Sequence, residues 1–206
     1  MSDSANVAVT LERLDEAGRR LLFNEARTAN TFASTPVSDA ELESIWELAK
    51  WPPTGGNTQP LRATFVRTED GKSRLVSHMF EGNVAKTASA PAVAILAVDS
   101  RFHEHIPTVL PFRPEMKDIF EANPEMREKA GSLSAALQAA YFILAVRANG
   151  LAAGPMGGFD AAGLDADFFP DGRLHSFLVV NIGYPGEDPW FERLPRLDHD
   201  QVIGWA

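Results

Sequence analysis

Three loops of this sequence carry side chains and bare backbone that could bind a ligand, and each adjoins an apolar segment. They are residues 27–32 (RTANTF), 54–60 (TGGNTQP) and 154–158 (GPMGG). Arginine forks bind phosphate, whereas side-chain amides and glycine-rich N–H groups read the edge of a flat, amide-like ring. Together with Asn83, Arg193 and Arg196, these loops would suit a ligand with a phosphate at one end and such a ring at the other.

Other common chemistries have little support in the sequence. The chain contains no cysteine, which excludes disulfides, thiolate nucleophiles and Cys-ligated metals. No Gly-x-Ser-x-Gly motif marks a serine nucleophile, and neither the phosphate-loop nor the Rossmann glycine pattern occurs. His103 and His105 would share one face of an extended strand, but no third ligand accompanies them. We therefore predict no metal site and no evident catalytic side chain.

Helices and strands must position these loops. Apolar residues at helical spacing predict an amphipathic helix over about 9–27. Ser38 and Glu41 form a capping-box pattern that begins a second helix, which Pro52 and Pro53 end. Further helices are predicted over 72–80 (ending at Glu81–Asn83), 114–129 (with a break at Pro124) and 160–168, and strands over 62–67, 91–98 and 175–182.

The longest apolar run, Leu133 to Ala148, is apolar on every side if helical, which predicts a buried helix. Gln138 is a polar residue inside it, and a buried amide needs either an internal partner or a ligand. Gly150 is a natural helix end in the left-handed conformation. Residues 154–158 then have two interpretations, a ligand-binding backbone or a plain tight connection. Residues 101–114 hold three prolines and predict an irregular excursion over a pocket.

Composition sets the class. With 206 residues, 45% hydrophobic and 23% charged, the chain fits one domain, 1–206, with a C-terminal arm from about 184. Helices dominate over three or four strands, so the class is α+β. The net charge of −9 argues against nucleic acid and against an anionic membrane surface. No signal segment is visible, and we expect a cytoplasmic protein. Its arm is expected to pack on another surface, and a homodimer partner is one candidate for that surface.

Five motifs, in order, resemble those of the FMN-dependent nitroreductase family. The segment 27–32 before Pro36 is similar to that family's Arg-Arg-Ser-x-Arg-x-Phe opening, and 53–60 to its Pro-Ser-Ser-x-Asn-x-Gln-Pro. Gly82-Asn83, the run 150–160 (GLAAGPMGGFD) and Leu194-Pro195-Arg196 resemble its later motifs. Within the family, the chain looks most like a subgroup described as malonic semialdehyde reductase, or as NADH dehydrogenase/NAD(P)H nitroreductase.

The resemblance implies a central, mostly antiparallel sheet flanked by helices, in an entwined homodimer with two FMN sites at the subunit interface. Arg27, Thr28 and Arg196 would hold the phosphate, and Asn30 falls where the family has a second arginine. The residues that would border the ribityl chain and ring are Asn57, Gln59, Asn83, Gln138, Pro155, Met156, Gly157 and Gly158. Gly157 also replaces a glutamate that some members have beside the ring.

The expected activity is ping-pong hydride transfer from NADH or NADPH through FMN to a small oxidised substrate. The resemblance favours reduction of malonic semialdehyde to 3-hydroxypropionate, with Arg101 or Arg113 as the cation for its carboxylate. Three alternatives stay open: a broad-specificity nitroreductase or quinone reductase, a flavin-binding protein without turnover, and a structural domain. The last is motivated by the aromatic tail.

Overall fold

A four-stranded antiparallel sheet organises the protein in a computed structural model, which describes residues 11–206. The strands lie in the order β1-β2-β4-β3. Their bounds are β1 Leu61–Val66, β2 Ala92–Asp99, β3 Ala152–Met156 and β4 Leu174–Gly183. The expected α+β class with a mostly antiparallel sheet is confirmed, because each neighbouring pair of strands runs antiparallel.

Helices cover both faces of the sheet. Their bounds are α1 Glu16–Arg19, α2 Asp39–Ala49, α3 Glu69–Ser77, α4 Glu81–Ser89, α5 Ile106–Val109, α6 Met116–Ala122, α7 Pro124–Ala148, α8 Ala161–Phe168 and α9 His199–Val202. Single 3₁₀ turns occupy Gly55–Asn57 and Phe102–His105. The helices predicted over 114–129 and 160–168 are confirmed, including the break before Pro124.

The central strand β2 shows why the sheet is buried on both sides. Its alternate residues Ala92, Ala94 and Leu96 join a core that includes residues of α2 and α7. The intervening Val93, Ile95 and Ala97 join a second core on the opposite face, with residues of α3 and α8. Successive side chains of a strand point to opposite faces, so a continuous apolar run is what a doubly covered strand requires.

Helix α2 begins at the predicted capping box. Ser38 Oγ accepts a hydrogen bond from the Glu41 N–H at 3.3 Å, and the Ser38 N–H donates to Glu41 Oε2 at 2.7 Å. The same carboxylate accepts a 2.6 Å hydrogen bond from the Tyr184 hydroxyl, just beyond β4. Tyr184 thus fixes the beginning of α2 to the end of the sheet.

The amphipathic helix predicted over 9–27 is much shorter in the structure. Residues 9 and 10 lie outside the described part of the chain. Only α1 and a wider, π-type turn over Arg20–Asn24 are helical. The prediction of a long helix failed because the leucine side chains that define its apolar face, Leu14 and Leu21, remain exposed in the single chain. Without a surface to bury, helical spacing is weak support for a helix.

Helix α7 packs on the sheet by one face only, which corrects the expectation that it is buried all round. Ala135, Gln138 and Phe142 are buried, whereas Leu133 is 65% exposed and Tyr141 is also exposed. By length and composition the helix could cross a membrane, but core helices of other proteins pass the same test. Its packed face identifies it as a core helix. Gly150 has φ +76° and ends it as predicted.

The excursion over 101–114 is more regular than predicted. It contains a 3₁₀ turn and α5, and Phe102, Ile106 and Leu110 form a small core with Phe120 of α6. The chain after Tyr184 carries several exposed apolar side chains. They are Phe191, Leu194, Leu197, Val202 and Trp205. This arm has little to pack against in the described part of one chain.

Candidate functional site

Two distant parts of the chain meet at the predicted phosphate end of the site. A cavity of about 210 Å³ is lined by the loop residues Arg27, Thr28 and Asn30 and by tail residues that include Arg193 and Arg196. Glu192 also lines it and supplies the one carboxylate. Guanidinium, hydroxyl and amide groups all donate to phosphate oxygens, so this set fits the phosphate of a nucleotide or flavin cofactor.

Hydrogen bonds between these two parts hold the cavity together. Arg27 Nη1 donates to the Phe191 carbonyl at 3.0 Å. Arg193 Nη2 donates in return to the carbonyls of Asn24 and Ala26, at 2.6 and 3.1 Å. Arg196 donates only to the carbonyls of Leu194 and Pro195. Because carbonyl groups satisfy only part of a guanidinium's positive charge, the cavity remains cationic.

The loop 27–32 reaches the sheet through a glycine. The Ala29 N–H donates to the Ala153 carbonyl of β3 at 3.1 Å. A Cβ on Gly154 would lie 2.9 Å from the Ala29 carbonyl oxygen, which is too close for any side chain. Gly154 therefore allows the loop to lie directly on β3, and that contact places Arg27 and Thr28 beside the strand.

The segment predicted as a loop over 154–158 is partly strand, which corrects that interpretation. Pro155 and Met156 belong to β3 and pair with Val180 and Val179 of β4. Met156 is buried, and its sulfur accepts a weak contact from Asn181 Nδ2 at 3.8 Å. Pro155 is half-buried. Proline is tolerated here because β3 is an edge strand. The part of the segment that stays free to meet a ligand is Gly157-Gly158.

Gly157 and Gly158 differ in what surrounds them. A Cβ on Gly157 would meet nothing within 4 Å, whereas one on Gly158 would lie 2.6 Å from Asn83 Nδ2. Asn83 Nδ2 instead donates to the Gly158 carbonyl at 2.8 Å. Within residues 11–206, neither glycine N–H donates a backbone hydrogen bond outside the sheet ladder. This bare turn fits a flat ligand at close range.

Asn83 lies elsewhere in its helix than predicted. Glu81–Asn83 does not end a helix but begins α4, and α3 has already ended at Ser77. The Asn83 N–H donates to the Phe80 carbonyl, and the Phe80 N–H donates to the Gly158 carbonyl. The side chain and the preceding backbone therefore both hold the turn at Gly158.

The loop 54–60 has an unusual backbone. Gly56, Asn57 and Gln59 have φ values of +64°, +52° and +45°. Left-handed conformations at non-glycine residues cost about 1–3 kcal/mol each and persist where surrounding structure fixes them. Asn57 Nδ2 donates to the Val109 carbonyl at 2.7 Å, and Gln59 Nε2 donates to Asn57 Oδ1 at 3.0 Å. The excursion 101–114 thus lies over this loop.

Gln138 has an internal partner. Its Oε1 accepts a 3.0 Å hydrogen bond from the Leu61 N–H at the start of β1, and the residue is buried. We expected this side chain to project toward a ligand, but its oxygen is bound inside the protein. Its amide instead fixes the point where the loop 54–60 enters the sheet.

A buried ion cluster, which the sequence did not reveal, also fixes the junction between the loop 54–60 and β1. Asp99 is 1% exposed, and its carboxylate accepts hydrogen bonds from Arg62 Nη2 at 2.7 Å and from Arg173 Nε at 2.8 Å. Arg62 Nη1 also donates to the carbonyl of Gln59 at 2.9 Å. Burial alone would raise the pKa of Asp99, but the hydrogen bonds from Arg173 and the Arg101 N–H, with the charge of Arg62, lower it. Asp99 therefore stays ionised and anchors the loop.

The predicted site residues form two groups on opposite edges of the sheet. Arg27, Thr28 and Gly157-Gly158 belong to the β3 edge, whereas Asn57 and Gln59 precede β1. Three strand spacings separate these edges, about 14 Å across the sheet. One chain therefore carries two partial sites.

Arg101 and Arg113 form no side-chain hydrogen bond or ion pair with either group within residues 11–206. Arg113 is exposed and pairs with Glu115 at 2.7 Å. The exposed Arg101 side chain has no hydrogen-bond or ion-pair partner within residues 11–206. Both flank the segment that lies over the loop 54–60, and their substrate role remains a prediction.

Comparison with known proteins identifies the family to which this fold belongs. The model of the nitroreductase family matches residues 24–184. The chain belongs to the nitroreductase family. The matched residues include Arg27 and Thr28, Asn57 and Gln59, and Gly157-Gly158, but not Arg193 and Arg196 of the C-terminal arm.

Two Streptomyces proteins are close relatives of this nitroreductase-family chain. One from Streptomyces coelicolor is 58% identical over 201 residues, covering 98% of this chain and 100% of the relative. One from Streptomyces griseus is 55% identical and covers 92% and 96%. Both carry the provisional name NADH dehydrogenase/NAD(P)H nitroreductase.

Solved structures of the family share the fold. A nitroreductase from Exiguobacterium sibiricum, solved in complex with FMN, superposes with a TM-score of 0.77 at 18% identity. The match covers 96% of this chain and 100% of that one. A Bacillus subtilis nitroreductase has a TM-score of 0.80 at 21% identity, covering 92% and 99%. At these identities the likeness establishes the fold alone.

Proposed function

We propose that this protein is an FMN-dependent NAD(P)H oxidoreductase of broad specificity toward nitro compounds and quinones. The observation that carries the proposal is the cationic cavity where Arg27, Thr28 and Asn30 meet Arg193 and Arg196. Its donors fit the FMN phosphate. The names of the Streptomyces relatives and the FMN complex of the Exiguobacterium protein support the same cofactor and reductant.

FMN, when bound, would accept a hydride from NADH or NADPH and deliver it to the second substrate. The chain's own residues would bind the cofactor and orient its ring. Arg27, Thr28 and Arg196 would hold the phosphate, and the N–H groups of Gly157 and Gly158 would face the ring edge. The open space at Gly157 leaves room for a substrate beside the ring, because no side chain of the described chain comes within 4 Å of a Cβ there.

We place both cofactor sites between two chains. Asn57 and Gln59 lie across the sheet from Arg27 and Gly158, so a partner chain would have to bring the second group to the first. The surfaces for such a partner are the exposed apolar face of α7, with Leu133 and Tyr141, and the apolar arm after Tyr184. Burial of apolar surface is the main driving force of permanent homodimers. The protein would act in the cytoplasm as one domain, 1–206.

Malonic semialdehyde is a second candidate substrate. The observation that favours it is the hydrogen bond from Asn57 to the Val109 carbonyl, which brings the excursion bearing Arg101 and Arg113 over the loop 54–60. A cation on that segment would pair with the substrate carboxylate. If so, Arg113→Ala should raise the KM for malonic semialdehyde and leave the KM for a neutral quinone unchanged.

Steady-state kinetics of the FMN-loaded protein would test the proposal. NADH and NADPH oxidation would be followed with a nitroaromatic compound, a quinone and malonic semialdehyde as acceptors. The proposal expects turnover with the first two and parallel double-reciprocal lines, since the reductant leaves before the acceptor binds. Turnover of malonic semialdehyde alone would establish the second candidate. No turnover with any acceptor would leave a flavin-binding protein without activity.

A further inference from the structure

Four arginines near the segment 24–30 lack an acidic partner, although the protein has a net charge of −9. They are Arg27, Arg147, Arg193 and Arg196, and none forms an ion pair with a carboxylate among residues 11–206. Most of the other arginines in that range, such as Arg62, Arg74 and Arg173, do. One bound phosphate would occupy the cavity of Arg27 and Arg196, but Arg147 does not line that cavity.

Arg147 lines a separate cavity of about 440 Å³, and Arg27 lines both cavities. Its walls are largely apolar. They include Leu21, Ala26, Leu151, Ala153, Pro185 and Trp190. Glu25 also lines the cavity, but its carboxylate pairs with Arg20 at 3.7 Å. Arg27 holds the phosphate in the proposed function, so Arg147 is the charge that stays available to a ligand there.

Arg147 is half-buried, and its guanidinium donates no hydrogen bond within residues 11–206. Burial, and then the nearby charge of Arg193, lower the pKa of Arg147 from its ordinary value. A guanidinium is never fully deprotonated in proteins, so the charge stays and needs a counter-charge.

Capping of α7 does not supply that counter-charge. Asn149 donates to the Ala145 carbonyl through both its N–H and its side chain. The N–H groups of Leu151 and Gly150 donate to the carbonyls of Val146 and Arg147. Backbone donors and one amide thus satisfy the last carbonyls of the helix, so Arg147 is not needed to cap them.

We propose that this cavity is a second anion site, in which Arg147, beside Arg27, binds the carboxylate of a small organic acid and the apolar walls enclose its body. The volume lies within the range of small-molecule sites, roughly 300–1,000 Å³. The apolar lining favours an organic carboxylate over inorganic phosphate, because phosphate would leave Leu151 and Trp190 without a contact. This inference needs no cofactor in the neighbouring cavity.

Isothermal titration calorimetry of the FMN-saturated full chain would test the site. Benzoate and inorganic phosphate would be the two probes, and saturation with FMN keeps its phosphate cavity filled. The wild-type protein should bind benzoate saturably at one site per chain and bind phosphate at least tenfold more weakly. Arg147→Gln should weaken benzoate binding at least tenfold, since the charged contact to the carboxylate is lost. Arg147→Lys should restore part of it.

Two further variants test whether benzoate binding depends on this cavity in particular. Arg127→Gln changes an arginine at the other end of α7, which donates to the Phe120 carbonyl, and should leave benzoate binding unchanged. Trp190→Ala removes a wall and should weaken benzoate binding without changing FMN retention. Benzoate affinity equal in the wild type and Arg147→Gln would overturn the proposal. So would tighter binding of phosphate than of benzoate, or FMN loss in Arg147→Gln as large as in Arg196→Ala.

Discussion

Asn83 Nδ2 donates a 2.8 Å hydrogen bond to the carbonyl oxygen of Gly158, across 75 residues of sequence. This bond joins the first turn of α4 to the bare turn after β3. It orients the Gly158 peptide, whose neighbouring N–H groups are the donors offered to the flavin ring in the proposed site. A single amide thus links the packing of α4 to the geometry of the cofactor pocket.

Gly158→Ala should disturb this link, and Gly157→Ala is its matched control. The alanine Cβ at 158 would displace Asn83, and loss of one hydrogen bond costs about 0.5–1.5 kcal/mol. The alanine at 157 meets nothing in the described chain, so the stability of the cofactor-free protein should not change. Thermal unfolding without FMN would compare them. Equal destabilisation by both substitutions would contradict this account of the turn.

Subunit complementation should reveal a site shared between chains. Arg27→Ala and Asn57→Gly would each reduce FMN binding in a homodimer, and glycine keeps the left-handed backbone at 57. In dimers re-formed from an equal mixture, the heterodimers would carry one site with both native residues. Random pairing then restores about one quarter of the sites. FMN bound per chain after mixing is the measurement, and no recovery would place both residues in a site within one chain.

Asp99→Asn should destabilise the protein strongly. Asp99 is buried between Arg62 and Arg173, and removing one member of a buried charge cluster costs roughly 3–5 kcal/mol. Asp167→Asn is the control, because its pair with Arg74 is partly exposed and such pairs contribute at most about 1 kcal/mol. Urea unfolding would measure both. Since Arg62 also holds the Gln59 carbonyl, FMN affinity should fall with Asp99→Asn and stay unchanged with Asp167→Asn.

Tyr184→Phe should lower the stability of the protein near neutral pH and weaken the dependence of that stability on acid pH. Hydrogen bonds from Ser38 and then Tyr184 lower the pKa of Glu41 from 4.5 to about 2. A carboxyl whose pKa is lower in the folded state stabilises that state above its unfolded pKa. This stabilisation is lost as the pH falls from 4.5 toward 2. The variant should lose stability at pH 6, and NMR titration should show a higher Glu41 pKa; an unchanged pKa would contradict the role of Tyr184.

Local patterns predicted much of the secondary structure. The capping box at Ser38 began a helix as expected, and the apolar run 91–98 became a doubly buried strand. These features depend on a few neighbouring residues. The long N-terminal helix was wrong because its leucines have no surface to bury in one chain.

Features set by distant contacts were not predictable from sequence. The run 154–156 looked like a glycine-rich loop, but pairing with β4 makes it a strand. Gln138 looked like a ligand contact, but its partner is a backbone N–H 77 residues away. Asp99, with no motif around it, is fixed by arginines that only the sheet brings together. Arg27, Thr28 and Arg196 did come from the family resemblance, and the fold places them around one cavity.

The absorbance spectrum of the purified protein, before and after anaerobic NADH or NADPH, tests the central proposal most directly. An FMN-dependent oxidoreductase should be yellow, should lose its flavin absorbance with at least one nicotinamide, and should recover it when a quinone is added. A colourless protein whose thermal stability does not rise with added FMN would contradict the proposed cofactor, because a ligand that binds the folded state must stabilise it. A yellow protein that neither nicotinamide bleaches would contradict the proposed activity.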